Sequence, residues 1–334
     1  MVKVRRTVGV MLVLFLICLG ISGCQKQTEP ESSQPTPGIT VKAAALKGPT
    51  AISMVKMMED KTALAGNSTV EYTVLDNPEL MTSKIVSGEV DIAALPTNLA
   101  ANLYNKGVPY KLAAISSWGV MYLVTADKTV TDWDSLKGKK IYVFGKGATP
   151  DIAFRYLLQK NGLNPASDVQ LDYTLGQVEL AQSLIAGRVS LAVLPEPWVT
   201  QVTKGAPNIT VAMDLQKEWE NAQGGKTAIP MTCLMAKKEL IAEHPEVFNS
   251  FLKSYAESIA WANQNPADAG ILVEKHQIGL KAAVAQEAIP RCYLRYQSAS
   301  ESKESVNSFL QVLYDFAPQS IGGKMPGDAF YYQK

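Results

Sequence analysis

Two short segments that combine lysine, glycine and threonine stand 99 positions apart: Lys47-Gly48-Pro49-Thr50 and Lys146-Gly147-Ala148-Thr149. Glycine lets the backbone approach a ligand closely, and threonine offers a neutral hydroxyl for hydrogen bonding. If a helix begins at each segment, the N–H groups of its first turn can hold an anion or a carbonyl oxygen. The chemistry that these residue types offer is recognition of a small molecule, without any catalytic group.

Further candidate ligand contacts stand at the ends of other predicted strands. Trp118 could stack on a planar ligand, and Glu196 could accept a hydrogen bond from an amine or a ring N–H. Structural alternatives remain open: the threonines could cap helices, the tryptophans could pack between elements, and the lysines could be exposed charges. Glu196 would also suit a helix N-terminus without touching a ligand. The candidate ligand-binding residues are Lys47, Gly48, Pro49, Thr50, Pro96, Thr97, Asn98, Trp118, Gly147, Ala148, Thr149, Pro150, Glu196 and Trp198.

The sequence offers no set of residues for catalysis, for a metal or for a cofactor. His244 and His276 are its only histidines, and both belong to the C-terminal helical part, where we expect them on solvated surfaces. It contains no zinc-ligand spacing, Cys/His cluster or Ser/His/Asp order. Gly145-x-Gly147 is too short for a nucleotide-binding fingerprint. We therefore predict no catalytic residues, no metal and no cofactor.

A second pair of motifs repeats at the same offset of 99 positions, since Gly88 and Gly187 each open a Gly-x-Val-x-x-Ala-x-Leu-Pro frame. A repeat of about 100 residues is too long for a solenoid unit and has the size of an α/β domain. Apolar segments alternate with helical periodicity, which predicts a mostly parallel sheet in each copy. Ligands of open α/β sheets bind beyond the carboxyl ends of the strands, so the candidate residues should meet there.

The elements that must position these residues follow from periodicity and from turn residues. The predicted strands span 40–46, 69–75, 91–95, 111–115, 140–144, 169–171 and 190–194. The predicted helices span 49–58, 78–86, 97–104, 149–159, 177–186, 245–263, 267–275 and 302–316, with one more near Trp198. We expect Thr97 or Asn98 to cap the third helix, and the helix at 245–263 to cover the first lobe. Extended segments at 120–125 and 229–236 would cross between the lobes as a hinge.

The chain begins like an exported protein. Residues 1–23 combine a basic start, an apolar run over 8–19 and a small-residue end, the layout of a secretory signal. An uncleaved membrane helix is the alternative, but the run is shorter than the roughly 20 residues that span a bilayer. Ile21-Ser22-Gly23-Cys24 resembles the lipobox of bacterial lipoproteins, in which the signal is cleaved before a lipid-carrying cysteine. Residues 24–39, rich in polar residues and proline, are predicted to form a flexible tether.

Composition limits the classes of function. With 47% hydrophobic and 19% charged residues, the mature chain can bury a sizeable core, which we expect in two lobes. Cys233 and Cys292 could form one disulfide or remain buried free thiols. Removal of Lys3, Arg5 and Arg6 with the signal changes the formal charge from +1 to −2, and no basic run could follow a phosphate backbone. Nucleic acid is therefore not an expected partner.

Together these features resemble the substrate-binding lipoproteins of ABC importers, in the branch that serves nitrate, taurine, alkanesulfonates and thiamine-pyrimidine precursors. The resemblance covers nearly all of the chain from Thr40 onward. It implies an α/β fold of the periplasmic-binding-protein type (type II), with two similar α/β lobes joined by a two-strand hinge. Besides the lipobox and the duplication, it rests on Asp91-Ile92-Ala93-Ala94-Leu95-Pro96, Trp133-Asp134-Ser135-Leu136-Lys137-Gly138-Lys139-Lys140-Ile141 and Leu194-Pro195-Glu196-Pro197-Trp198.

The resemblance also implies an organisation and a role. Residues 1–23 would be the lipoprotein signal peptide, 24–39 the tether, 40–120 with 235–334 the first lobe, and 121–234 the second lobe with the hinge crossovers. The protein would be an extracytoplasmic monomer, anchored to the cell membrane by lipid on Cys24. It would capture a sulfonate, nitrate, a pyrimidine or a vitamin-like molecule and deliver it to ABC permease subunits. An enzyme on the same fold is the alternative, because chorismate-type dehydratases of menaquinone synthesis resemble such receptors.

Overall fold

Each copy of the repeat forms its own β-sheet in the computed structural model of the protein, which describes residues 38–225 and 227–334. The first sheet contains β1 (Thr40–Leu46), β2 (Thr69–Leu75), β3 (Ile92–Pro96), β4 (Tyr110–Trp118), β10 (Pro230–Lys237) and β11 (Leu294–Ser298). The second contains β5 (Met121–Thr125), β6 (Lys140–Val143), β7 (Gln170–Asp172), β8 (Leu191–Pro195) and β9 (Thr210–Asp214). Their spatial orders are β11-β4-β10-β3-β1-β2 and β7-β6-β8-β5-β9.

The repeated strands run parallel within each sheet. β1 pairs with β2 and β3, and β6 pairs with β7 and β8, all in parallel. β10 lies antiparallel between β3 and β4, and β5 lies antiparallel between β8 and β9. Every residue of β3 and β8 is buried, as expected for central strands with helices on both faces. Two α/β lobes of the predicted type are therefore present.

Helices connect the strands and cover both sheets. The first six are α1 (Pro49–Ile52), α2 (Val55–Asp60), α3 (Pro78–Val86), α4 (Thr97–Asn105), α5 (Thr149–Lys160) and α6 (Gln177–Ile185). The others are α7 (Trp198–Gly205), α8 (Leu215–Ala222), α9 (Lys238–Glu243), α10 (Pro245–Gln264), α11 (Pro266–Lys275), α12 (Ala282–Ala288) and α13 (Ala299–Phe316). α10 packs against α2 and β11, so it covers the first lobe as predicted.

The duplication extends to individual hydrogen bonds. The N–H of Gly88 donates to the carbonyl of Ile85, and the N–H of Gly187 donates to that of Leu184, at 3.1 and 2.9 Å. Both glycines have positive φ, 73° and 68°, which suits the left-handed residue that ends a helix. The repeated sequence frame therefore encodes the same helix end before the same buried strand.

Two short crossovers join the lobes. Gly119-Val120 leads from β4 into β5, and the chain returns to the first sheet between α8 and β10. The N–H of Gly119 donates to the carbonyl of Ile229 at 2.9 Å, which ties the two crossovers together. Val120 has a φ of 70°, a left-handed conformation that is costly for a β-branched residue. The hinge therefore lies at these residues, next to the predicted segments.

Two local predictions are wrong. The helix predicted at 49–58 is interrupted between Ile52 and Val55, where the Met54 N–H donates to the Ala51 carbonyl, three positions back instead of four, at 3.0 Å. Neither Thr97 nor Asn98 caps α4, since Pro96 is the N-cap residue and the Asn98 N–H in the first turn donates instead to the Thr149 hydroxyl of the second lobe, at 3.4 Å. Asn98 instead uses its side chain for contacts with the second lobe, described below.

The structure also decides points that composition left open. Cys233 and Cys292 are both buried free thiols, so they form no disulfide. His276 is partly buried and contacts Glu59 at 2.9 Å, rather than lying on a freely solvated surface. Within the part of the chain that the structure describes, no helix is long and apolar enough to cross a membrane. The predicted signal peptide, Cys24 and the predicted tether up to residue 37 lie outside the described residues.

Candidate functional site

The segment around Gly48 contacts the second lobe directly. The side chain of Gln177, at the start of α6, donates to the carbonyl of Lys47 at 2.7 Å. The same side chain accepts a hydrogen bond from Nε1 of Trp198, the first residue of α7, at 3.1 Å. Trp198 is fully buried, and a Cβ placed on Gly48 would lie 3.5 Å from its Nε1. This first interlobe contact therefore joins one predicted ligand-binding segment to another.

The repeated segment around Gly147 makes a second interlobe contact. Asn98 of α4 donates from its side-chain amide to the Gly147 carbonyl at 2.7 Å and to the Ser320 carbonyl at 3.1 Å. The Thr149 hydroxyl donates to Oδ1 of Asn98 at 3.0 Å. Asn98 and Thr149 are both fully buried. The two duplicated segments thus face opposite lobes, which places the carboxyl ends of β1, β3, β6 and β8 around one cleft.

A cavity of ≈ 40 Å³ remains between the two interlobe contacts. We call it the central cavity. It has room for only a few water molecules, so any organic ligand would require the lobes to separate. Of the predicted residues, it is lined by Lys47, Pro49, Thr50, Pro96 and Pro150. The lining residues that the sequence analysis missed are Leu46, Ser117, Val120, Phe144, Gln177, Pro195, Met231 and Thr232.

The polar groups of the central cavity are mostly neutral. The hydroxyls of Ser117 and Thr232 are 2.7 Å apart, and the Ser116 hydroxyl lies 2.9 Å from that of Thr232. Thr50 donates to the carbonyl of Leu46. Lys47 is the one cation in the lining, and its ammonium group is paired with Asp76 at 2.5 Å. A ligand here would therefore meet hydroxyls, an amide and apolar side chains rather than an unpaired positive charge.

Two helix N-termini at the cleft already hold a carboxylate of the protein itself. Asp151 accepts a hydrogen bond from the Gly147 N–H at 2.8 Å and another from the Tyr173 hydroxyl at 2.7 Å. Glu196 accepts from the Thr200 N–H at 3.0 Å. Both carboxylates are buried. In the second lobe, carboxylates of the protein therefore already stand where a helix N-terminus could bind an anionic ligand.

Glu196 is also part of an interlobe ion pair. Its Oε1 lies 4.0 Å from Nη1 of Arg291, which precedes β11 of the first sheet. Burial raises the pKa of Glu196, because the carboxylate loses its contact with water, and the hydrogen bond from Thr200 and the charge of Arg291 only partly oppose this effect. The protonation of Glu196 is therefore linked to the stability of the fold.

Glu196→Gln is expected to stabilise the fold near neutral pH, and less so as the pH falls. The folded parent holds the Glu196 proton more tightly than the unfolded chain, whose carboxyl has an ordinary pKa of 4.5, so parent stability is lost as the pH rises through this window. The glutamine stays neutral, and its oxygen can still accept from Thr200. Urea unfolding across pH checks this, with the exposed Glu246→Gln as control. A stability difference that does not change with pH would contradict it.

The remaining predicted residues have other surroundings. Trp118 does not line the central cavity; it ends β4, where the guanidinium of Arg295 lies 4.8 Å from its ring centroid. The ammonium of Lys146 lies 5.5 Å from the Tyr173 ring. Gly48 has φ 99° and ψ −146°, a conformation restricted to glycine. Of the lining residues that the sequence analysis missed, Phe144 could have been predicted, since it stands at the end of a predicted strand, where ligand contacts are expected. Gln177 begins a predicted helix, but nothing local distinguishes it.

Comparisons with known proteins agree with this geometry. The model of a family described as the NMT1-like family matches residues 48–274. The fold is similar to that of an ABC transporter from Parabacteroides distasonis, with a TM-score of 0.72 and 30% identity, covering 88% of this chain and 99% of that one. YtlA of Bacillus subtilis (strain 168) is 24% identical over 149 residues, which are 45% of this chain but only 42% of YtlA. The chain therefore matches less than half the length of that relative.

Two further solved structures share the fold at lower identity. The alkanesulfonate-binding protein SsuA from Xanthomonas axonopodis pv. citri, bound to MOPS, has a TM-score of 0.68 and 14% identity, covering 87% of this chain and 96% of that one. The periplasmic nitrate-binding protein NrtA from Synechocystis PCC 6803 has a TM-score of 0.64 and 13% identity, covering 83% and 81%. These likenesses confirm a fold of the periplasmic-binding-protein type.

Proposed function

Because the chain belongs to the NMT1-like family, we propose that it is a solute-binding lipoprotein that captures a small molecule between its lobes and delivers it to an ABC permease. The observation that carries the proposal is the cleft, where duplicated segments of both lobes surround one cavity. Hinged lobes that enclose a ligand are a standard means of capture without chemistry. For the lobes we propose residues 40–120 with 235–334 and residues 121–234; β10 (Pro230–Lys237), which spans the second boundary, lies wholly in the first sheet.

For the ligand we propose an uncharged or weakly polar ring compound, such as a pyrimidine, ahead of a sulfonate or nitrate. Lys47 is paired with Asp76, and the second-lobe helix ends carry Asp151 and Glu196, so an anion would meet like charge there. The hydroxyls of Ser117 and Thr232 would hydrogen-bond to a neutral ligand once the lobes open. The prolines and Phe144 supply apolar contact for a ring.

A thermal-shift screen tests the proposal, since a ligand that binds only the native state raises the melting temperature. At a ligand concentration 100 times its Kd, the free energy of unfolding increases by roughly 2.7 kcal/mol. The compounds are nitrate, taurine, an aminopyrimidine and riboflavin. We expect a shift from a neutral ring compound that is lost in Thr232→Val. Val211→Thr, an exposed swap on β9 of the second lobe, is the control. A shift from nitrate or taurine alone would overturn the ligand class, and turnover of chorismate would overturn the binding role.

The anchoring of the protein is a separate part of the proposal. Ile21-Ser22-Gly23-Cys24 supports cleavage before Cys24 and lipidation of its thiol, which would hold an extracytoplasmic monomer at the cell membrane. The first described strand begins at Thr40, so the tether would separate the lipid from the lobes. A single acyl chain binds membranes only weakly, and more than one chain is needed for stable anchoring.

Cys24→Ala is expected to release the protein from the membrane fraction into the soluble extracytoplasmic fraction. The reason is that no other residue of the motif has a thiol that can carry lipid. Cys18→Ala, which changes a cysteine within the apolar run, is the matched control and should leave the distribution unchanged. Fractionation followed by immunoblotting measures both variants. Membrane association that survives in Cys24→Ala would show that the signal is not a lipobox.

A further inference from the structure

A second and much larger cavity lies on the other side of the hinge from the central cavity. We call it the outer hinge cavity; its volume is ≈ 570 Å³, within the roughly 300–1,000 Å³ of typical ligand pockets. Val120 lines both cavities, so the hinge crossover separates them. An adjoining cavity of ≈ 400 Å³ shares Trp118, Ala228 and Arg295 with it. None of the hydrogen-bonded pairs that close the central cleft lines the outer hinge cavity.

The walls of the outer hinge cavity come from both lobes. Trp118 and Leu294 belong to β4 and β11 of the first sheet, and Tyr122 and Asp214 belong to β5 and β9 of the second. A molecule bound there would contact both lobes at once. Its affinity would therefore depend on the angle between the lobes.

Three aromatic side chains line the outer hinge cavity. Trp118 and Tyr122 lie in the wall, and Tyr293 lies at the rim with 63% of its surface exposed. Tyr293 has a φ of 41°, in the left-handed region that non-glycine residues rarely adopt. An exposed aromatic ring held in an unfavourable backbone conformation at the edge of a cavity indicates a role beyond packing.

The charges around the cavity favour an anionic group at one place. The guanidinium of Arg295 lies over the Trp118 ring and donates to Oε1 of Gln297 at 3.2 Å. No carboxylate of the described residues forms an ion pair with it. Two carboxylates also line the cavity: Asp214 accepts from the N–H groups that begin α8 and lies 3.7 Å from the ammonium of Lys217, and Glu220 accepts from the side chain of Gln216. Arg295 is thus an exposed cation that lies over an aromatic ring.

We propose that the outer hinge cavity is a second binding site, for a planar aromatic carboxylate. The ring would lie against Tyr122 and Tyr293, where aromatic contact is favourable, because Arg295 already covers the ring of the buried Trp118. The carboxylate would take the two-pronged hydrogen bonds that a guanidinium offers. This site is distinct from the central cavity and does not depend on which solute the cleft captures.

Titration calorimetry with cinnamate, a planar aromatic carboxylate, tests the site in the mature protein, with the neutral cinnamyl alcohol as comparison. We expect cinnamate to bind and the alcohol to bind more weakly. Arg295→Gln should weaken cinnamate roughly tenfold, as for loss of a charged hydrogen bond. The exposed Arg188→Gln, at the end of α6, is the matched control. Tyr293→Gly should also weaken binding without loss of folding, because glycine adopts the left-handed conformation freely.

Two results would overturn the site. One is the absence of cinnamate binding up to its solubility limit. The other is binding that Arg295→Gln leaves unchanged but Thr232→Val removes, since this would place cinnamate in the central cavity. Binding that is lost in Arg295→Gln and retained in Thr232→Val supports the outer hinge cavity.

Discussion

Trp198→Ala is expected to lower the free energy of unfolding by about 3–5 kcal/mol, the range for removal of a large buried aromatic side chain. Trp198 is fully buried where three segments meet. Its Nε1 donates to Gln177, its ring lies beside Gly48, and a Cβ on Gly279 would come within 2.9 Å of its Cη2 atom. Alanine would leave a void between the lobes that these glycines cannot fill.

Chemical denaturation measures the loss, with Trp261→Ala as the control for removing an indole. Trp261 is a partly exposed residue of α10, where Lys56 covers one ring face, so its loss should cost less. Trp198→Phe retains most of the ring but not the N–H, and should cost about 1 kcal/mol for the lost hydrogen bond plus a smaller packing term. If Trp198→Ala costs no more than Trp261→Ala, the indole does not hold the lobes together.

Asn98→Leu is expected to produce the second large effect, a loss of about 3 kcal/mol or more, because each buried polar group left without a partner costs roughly 1–3 kcal/mol. The substitution is close in volume but removes both amide donors and the acceptor oxygen. The carbonyls of Gly147 and Ser320 would lose a donor, and the hydroxyl of Thr149 would lose its acceptor while keeping the N–H of residue 98 as a donor. Two of these three groups belong to the second lobe, so the lobes should also separate more readily.

Asn102→Leu is the matched control for this substitution. Asn102 lies one turn later on α4 and donates only to the Gln319 carbonyl, in an exposed bond. Denaturation compares the two stabilities, and small-angle scattering compares the dimensions of the unliganded proteins. We expect Asn98→Leu to be less stable and more extended than Asn102→Leu. Equal stability and equal dimensions would show that Asn98 does not link the lobes.

Both effects bear on how a ligand enters. The pairs formed by Gln177 with Lys47 and by Asn98 with Gly147 close the cleft through protein contacts alone. A ligand larger than the central cavity must displace them or wait for the lobes to open, so its apparent affinity includes the cost of opening. Variants that weaken these contacts could therefore bind a solute faster while being less stable. Stopped-flow binding of a solute identified in the thermal screen would measure this difference.

The sequence alone determined the elements whose signals are local. The strand at 69–75 and the helix at 78–86 have the observed bounds, because a β-branched run and an N-terminal proline act over only a few residues. The 99-residue offset predicted two equivalent lobes, since Gly88 and Gly187 fix the same helix end in each copy. Local pattern could not show the break in the helix at 49–58, where the Met54 N–H bonds to a carbonyl three positions back instead of four.

Only the tertiary structure decided which side chains share a site. Gln177 meets Lys47 from 130 positions away, and Asn98 meets Ser320 from 222 positions away, contacts that no periodicity encodes. The sequence placed Trp118 at a strand end, but only the crossover at Gly119-Val120 determines that it lies on the outer side of the hinge. Likewise, Asp151 became an internal anion because folding brought the Tyr173 hydroxyl, 22 positions away, onto its carboxylate. A sequence specifies the ends of strands, whereas the angle between two lobes specifies what those ends contact.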